Sequence, residues 1–175
     1  MKQKMHKIIY FFLLYFLFEN SLDAEEPTMA ILKSIATNSR QDFNIQNYDF
    51  YCEPYGVISL DKMYDNSQNG SKCRESIDGF YKKHPDLKYF TQGILKTEQM
   101  YHVEFKNMKC VIYARGQKSL SELLLENGLA VNKRTFNDEE FNFTFKKAET
   151  NAKLLKRGMW SETIDKECAT ELSKD

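Results

Sequence analysis

Four absences bound this 175-residue chain. It has no basic excess, since 25 Lys and Arg meet 25 Asp and Glu. Proteins that grip nucleic acid by its phosphates usually carry such an excess, so the balance argues against tight non-specific binding and leaves room only for a local basic patch. It has no apolar run long enough to span a bilayer; the candidate, IIYFFLLYFLF at residues 8–18, falls well short of the ~20 residues required. No two of its four Cys, at 52, 73, 110 and 168, lie within four residues of each other, which removes the paired spacing of a zinc site. It also lacks internal repeats and low-complexity tracts.

The short apolar run has a different meaning. Lys2, Lys4 and Lys7 precede it, a short polar stretch follows, and Ala24 supplies a small residue at which a leader could end. This is the layout of an export signal, and we read residues 1–24 as one. No Cys stands near the cut to carry a lipid anchor. Removing the signal leaves 151 residues with 22 basic and 23 acidic side chains. That is enough chain for a single domain with its own core, here residues 25–165, followed by a tail at 166–175. The expected location is periplasmic or secreted, with no transmembrane segment in the mature chain. Export places the four Cys in an oxidising compartment, so two disulfides are expected, each contributing ~2–4 kcal/mol. Four Cys permit three pairings, and spacing leaves all of them open.

Apolar alternation predicts strands in 25–40 and 42–53, then 57–60, 93–97, 101–105 and 109–114. The polar segment YDNSQNGSK at 64–72 reads as a surface loop. Residues 74–89 carry Ile77, Phe80 and Tyr81 at helical spacing, with a break near Pro85. Ser119 followed by Glu122 forms a capping box ahead of Leu123, Leu124 and Leu125, and Gly128 is a helix stop. A polar connection then runs to about Asp138. Phe141, Phe145, Ala148, Ala152 and Leu155 recur every three or four residues along a last helix that Gly158 ends, with Trp160 as its apolar plug. Together these predict an α+β domain built around a small barrel.

The C-terminal motifs are more distinctive. SLSELLLENGLAV at 119–131, FKKAETNAKLLKRGMWSE at 145–162 and the strand CVIYARG at 110–116 resemble the thermonuclease (staphylococcal nuclease-like) family. The resemblance implies a five-stranded OB-type β-barrel with about three helices. It also implies calcium-dependent hydrolysis of phosphodiester bonds in DNA or RNA, with two Asp on the metal, a Glu helping to activate water, and two Arg on the phosphate. Oxygen ligands suit a hard cation, and guanidinium forks suit phosphate oxygens.

Laid over this chain, the family pattern puts the metal carboxylates at Asp42 and Asp61, nineteen residues apart. It puts the two Arg at positions 56 and 107 and the Glu at 64, where this chain has Gly56, Asn107 and Tyr64. The family's two nucleotide-flanking Tyr fall near Arg134 and Phe136. Lys106, Lys109 and Arg134 are the candidate substitutes for the missing cations, and Lys62 offers only a point charge. The resemblance further implies bridges Cys52–Cys110 and Cys73–Cys168. Asn142 lies in Glu140-x-Asn142-x-Thr144, similar to an extended acceptor sequon, and is a candidate for glycosylation. The expected function is a thermonuclease-like module that has lost family catalysis and serves binding or scaffolding in the cell envelope, with an envelope protein or nucleic acid as partner. The alternative is a divergent calcium-dependent nuclease acting on extracellular DNA or RNA.

Overall fold

The computed structural model describes residues 28–162 together with Ile164 and Cys168. The expected export signal lies outside the described residues, as does the tail apart from Cys168. The chain opens with a meander of three antiparallel strands, β1 (Thr28–Thr37), β2 (Arg40–Ile45) and β3 (Tyr48–Cys52). Its inner face is built by Ala30, Leu32 and Phe43, all buried, with Phe50 stacked on Phe43 at 5.9 Å. The sequence predicts one strand across 42–53. A tight turn with Gln46 at φ 57° divides it in two.

Beyond β3 a short strand, β4 (Val57–Ser59), leads into α1 (Leu60–Asn66). The Ser59 hydroxyl accepts the Lys62 N–H and so caps this helix. α2 (Lys72–Lys83), capped in the same way by Ser71, buries Cys73, Ile77, Phe80 and Tyr81. Two short helices follow, α3 (Pro85–Lys88) and α4 (Phe90–Ile94). The second takes up part of the strand expected at 93–97. Asn38, at the β1–β2 turn, is the reason: its Oδ1 accepts both the N–H and the hydroxyl of Thr91 at 2.9 Å, which anchors that helix on the barrel.

The β5 (Met100–Lys106) and β6 (Lys109–Arg115) hairpin matches the expected strands and is followed by β7 (Lys118–Ser119) and α5 (Leu120–Glu126). Ser119 caps α5 by accepting the Glu122 N–H at 3.2 Å. β8 (Ala130–Asn132), inside the expected polar connection, pairs with β4. α6 (Asn142–Leu154) buries Phe145, Ala148 and Ala152, as its periodicity predicts.

The main sheet runs β3-β2-β1-β5-β6-β7. It closes where the chain leaving β3 meets β6: the Cys110 N–H donates to the Glu53 carbonyl at 2.9 Å, and the Tyr55 N–H donates to the Cys110 carbonyl at 3.0 Å. The Cys52–Cys110 disulfide lies on this seam with a Cα separation of 5.5 Å, and Cys73–Cys168 ties the tail to α2. The result is α+β and OB-like, with six helices among the described residues where about three are expected. The extra ones lie mainly between β4 and β5. After α6 the chain turns through Gly158, which packs against Gly128 so closely that a Cβ on Gly128 would lie 2.2 Å from the Arg157 carbonyl oxygen. The plug behind this contact is Met159, 5% exposed, while Trp160 is only half-buried beneath the Lys153 ammonium.

Candidate anion-binding site

Beside the barrel seam lies a cavity of about 290 Å³, lined by Tyr55, Gly56, Asn107, Lys109, Lys133, Thr135, Phe136 and Asn137. Three segments build it: the β3–β4 connection, the β5–β6 turn, and the loop after β8. The Lys133 N–H donates to the Gly56 carbonyl at 3.0 Å and ties the loop to the first of these. Phe136 stacks on Phe145 of α6 at 5.4 Å and meets Tyr55 edge-on at 5.3 Å. Two lysines and two aromatic residues therefore line one hollow, and the lining holds neither a carboxylate nor a guanidinium.

Gly56 explains the shape of this wall. Its φ is +73°, and a Cβ built there would stand 2.4 Å from the Phe136 ring. The ring occupies the space a side chain at 56 would need. Tyr55, next to it, donates its hydroxyl to Asp138 at 2.9 Å, and burial followed by the Asp138 charge raises its pKa.

Lys109 connects the cavity to an ion triad. Glu53 accepts from Lys62 at 2.8 Å and from Lys109 at 3.2 Å. Burial acts to raise the Glu53 pKa, but hydrogen bonds and charge from the two lysines outweigh it and hold the carboxyl below its usual range. The neighbouring recess, lined in part by Ser39 and Ser59, measures only about 10 Å³. That admits no more than about one water. On the far side of Tyr55, Lys106 meets Glu140 at 2.8 Å, Glu104 at 3.0 Å and Asp138 at 3.5 Å. Burial works against its charge, but these carboxylates prevail and raise its pKa. Tyr113, donating to Glu104 at 3.2 Å, is pushed up to about 12 by burial and then by the Glu104 charge.

With this geometry in hand, residues 91–162 match the family described as staphylococcal nuclease homologue. That stretch is similar to the thermonuclease-like family. The match spans α4 to the turn after α6, less than half of the 175 residues. No curated protein matches the chain.

The structure distributes the predicted site residues unevenly. Gly56 and Asn107, the positions matched to the family's two Arg, both line the cavity, as do Phe136 and the candidate Lys109. Lys106 is committed to its three carboxylates, and Arg134 is exposed outside the lining. Tyr64, at the position matched to the Glu, donates to Asp78 at 3.3 Å under the Arg74 guanidinium.

Asp42 and Asp61 engage different partners. Asp42 alternates with buried Gln41 and Phe43, so it points off the outer face of β2, where it accepts from the Ser34 hydroxyl and pairs with Arg40. Asp61 lies in the first turn of α1 and accepts the Asn38 N–H at 2.9 Å, with Tyr81 against it. Burial is the largest influence on Asp61 and raises its pKa. Calcium takes six to eight oxygens about one point, and among the described residues no cluster of three or more His, Cys, Asp or Glu could hold a metal ion. Asn142 opens α6 half-buried, with its Oδ1 enclosed and unpartnered.

Glu53, Tyr55 and Lys133 are not among the residues the sequence singles out. One signal for Glu53 exists: once Cys52 is bonded to Cys110, the neighbours Glu53 and Lys109 must flank the bridge, and their charges are opposite.

Proposed function

We propose that this chain is an exported thermonuclease-like module that binds an anionic ligand without cleaving it, and acts as a binding or scaffold element of the cell envelope. The observation that carries the reading is the cavity lining, in which Lys109, Lys133 and two aromatic rings stand where the resemblance calls for two Arg. Lysine supplies charge but not the bidentate fork that holds a phosphoryl group during displacement. Losing one such clamp typically costs orders of magnitude in rate. Phe136 also fills the space at Gly56, so the first Arg cannot be reinstated by exchanging one residue. Export and an envelope location rest on the leader-like residues 1–24 and agree with two disulfides.

The second reading, a divergent calcium-dependent nuclease of DNA or RNA, is favoured by the family match at 91–162. One experiment separates the two. The chain from residue 25 onward is incubated with single-stranded DNA and calcium, beside Asp42→Ala and Asp61→Ala. The binding reading expects an intact strand and a measurable complex. Cleavage that both substitutions abolish would overturn it.

A further inference from the structure

Lys109 belongs to two structures at once: it lines the cavity, and its ammonium is 3.2 Å from Glu53. Glu53 is also held by Lys62 at 2.8 Å, and its main-chain carbonyl is fixed to Cys110 at the seam. A carboxylate bridging two ammonium groups, with the Ser39 and Ser59 side chains lining the same recess, is arranged as a bound anion would be. We infer that Glu53 is an internal competitor for the cavity: its carboxylate engages Lys109 in the empty protein, and a ligand binds in proportion to how well it out-competes that carboxylate. The inference rests on the cavity being the binding site.

This sets selectivity. A singly charged anion offers Lys109 no more than Glu53 already does, and it brings the added cost of losing its freedom. A ligand with two or more phosphate charges can engage Lys109 and Lys133 together. The multiply charged phosphate ligand is therefore favoured over chloride or a lone carboxylate. Lys62 acts in the opposite direction to Lys109, because it draws the Glu53 carboxylate away from the cavity lysine. Weakening Lys62 leaves Glu53 more fully on Lys109.

The test uses the oxidised chain from residue 25 onward, with inorganic pyrophosphate and a short oligothymidine as probes, and binding followed by calorimetry or fluorescence. Three variants are compared with the wild type: Glu53→Gln, Lys62→Gln and Lys109→Gln. Glu53→Gln is expected to tighten both probes by up to roughly fivefold, the scale of removing one near charge at a partly exposed site. It should also steepen the logarithmic salt dependence of oligothymidine binding by about one counterion. Lys62→Gln is expected to weaken binding, and Lys109→Gln to weaken it in both the wild-type and the Glu53→Gln backgrounds. A role confined to holding the fold would move Glu53→Gln and Lys62→Gln in the same direction. Opposite signs are what internal competition requires. If Glu53→Gln fails to melt cooperatively, Glu53→Met, an uncharged side chain of like size, takes its place and the same tightening is required. If Lys109→Gln weakens binding while Glu53→Gln and Lys62→Gln leave it unchanged or weaken it alike, the competition is overturned and the cavity stands as the site. If neither wild type nor Glu53→Gln binds either probe, the cavity reading falls and the inference with it.

Discussion

At the residue scale, two positions separate a binding cavity from a cleaving one. Gly56 combines a φ of +73° with a Phe136 ring where its Cβ would be. Gly56→Arg therefore meets backbone strain and overpacking together, each worth ~1–3 kcal/mol. It should lower stability in urea denaturation while restoring no strand cleavage; an undisturbed midpoint would mean the ring moves aside freely. Asp61 has the opposite character. Its folded pKa is raised above the ordinary 3.8 by burial, so its charged form is the disfavoured one. The stability it contributes is present below 3.8 and is lost as pH rises through its folded pKa. Asp61→Asn keeps an acceptor for the Asn38 N–H and removes the buried charge. It should match or exceed the wild type in melting temperature at pH 7, with the difference closing as pH falls below about 3.8. A calcium-dependent rise in the wild-type melting temperature that Asp61→Asn abolishes would instead make this carboxylate a metal ligand.

At the scale of elements, the two disulfides have different work. Their loops span 58 and 95 residues, a difference that chain entropy values at only ~0.4 kcal/mol. Removing either pair by Cys→Ser should cost ~2–5 kcal/mol, so stability alone will not distinguish them. Position will. Cys52 and Cys110 hold Glu53 beside Lys109, whereas Cys73–Cys168 fastens the tail to α2. Losing the seam bridge should alter pyrophosphate binding as well as melting, and losing the other should lower melting and leave binding unchanged. The same contrast between local and distant causes governs what was legible in the sequence. The Ser119 cap of α5 and the apolar face of α6 depend on residues three or four apart; the cap reads correctly, and so does the face except at Leu155, which caps the helix and is exposed. The division of 42–53 escaped because the turn at Gln46 carries no Gly or Pro to mark it, and only Phe50, out of phase with Phe43 and Ile45, hints at the break. The helix at Phe90–Ile94 escaped because its anchor, Asn38, is 53 residues from Thr91. Gly56 and Asn107 were found through family spacing, but that Phe136 fills the first of these places is a tertiary fact with no local mark.

For the molecule as a whole, formal charge is zero at pH 7, so near neutrality its response to pH comes from a few displaced groups rather than from net repulsion. Glu53 and Asp138 are held below 4.5 and 3.8 by the net pull of Lys62 and Lys109, and of Tyr55 and Lys106 with two backbone N–H groups, each against the opposing effect of burial. Their contribution is present above those unfolded values and disappears as pH falls through the folded ones. Asp61 and Glu122 are raised, chiefly by burial. They contribute in the opposite sense, fully below their unfolded values and progressively less as pH rises through the folded ones. Lowering the pH from neutrality first protonates Asp61 and Glu122 in the folded chain while the unfolded chain still resists, so stability rises. Further acid removes the Glu53 and Asp138 pairs, and stability falls. Melting temperature should therefore pass through a maximum below neutral pH. Asp61→Asn should flatten the rise on the neutral side of that maximum, and Glu53→Gln should soften the fall on its acid side. A melting temperature that decreases steadily from pH 7 downward would show that the paired carboxylates outweigh the buried ones, and that Asp61 is held charged by a partner stronger than Asn38 and Tyr81.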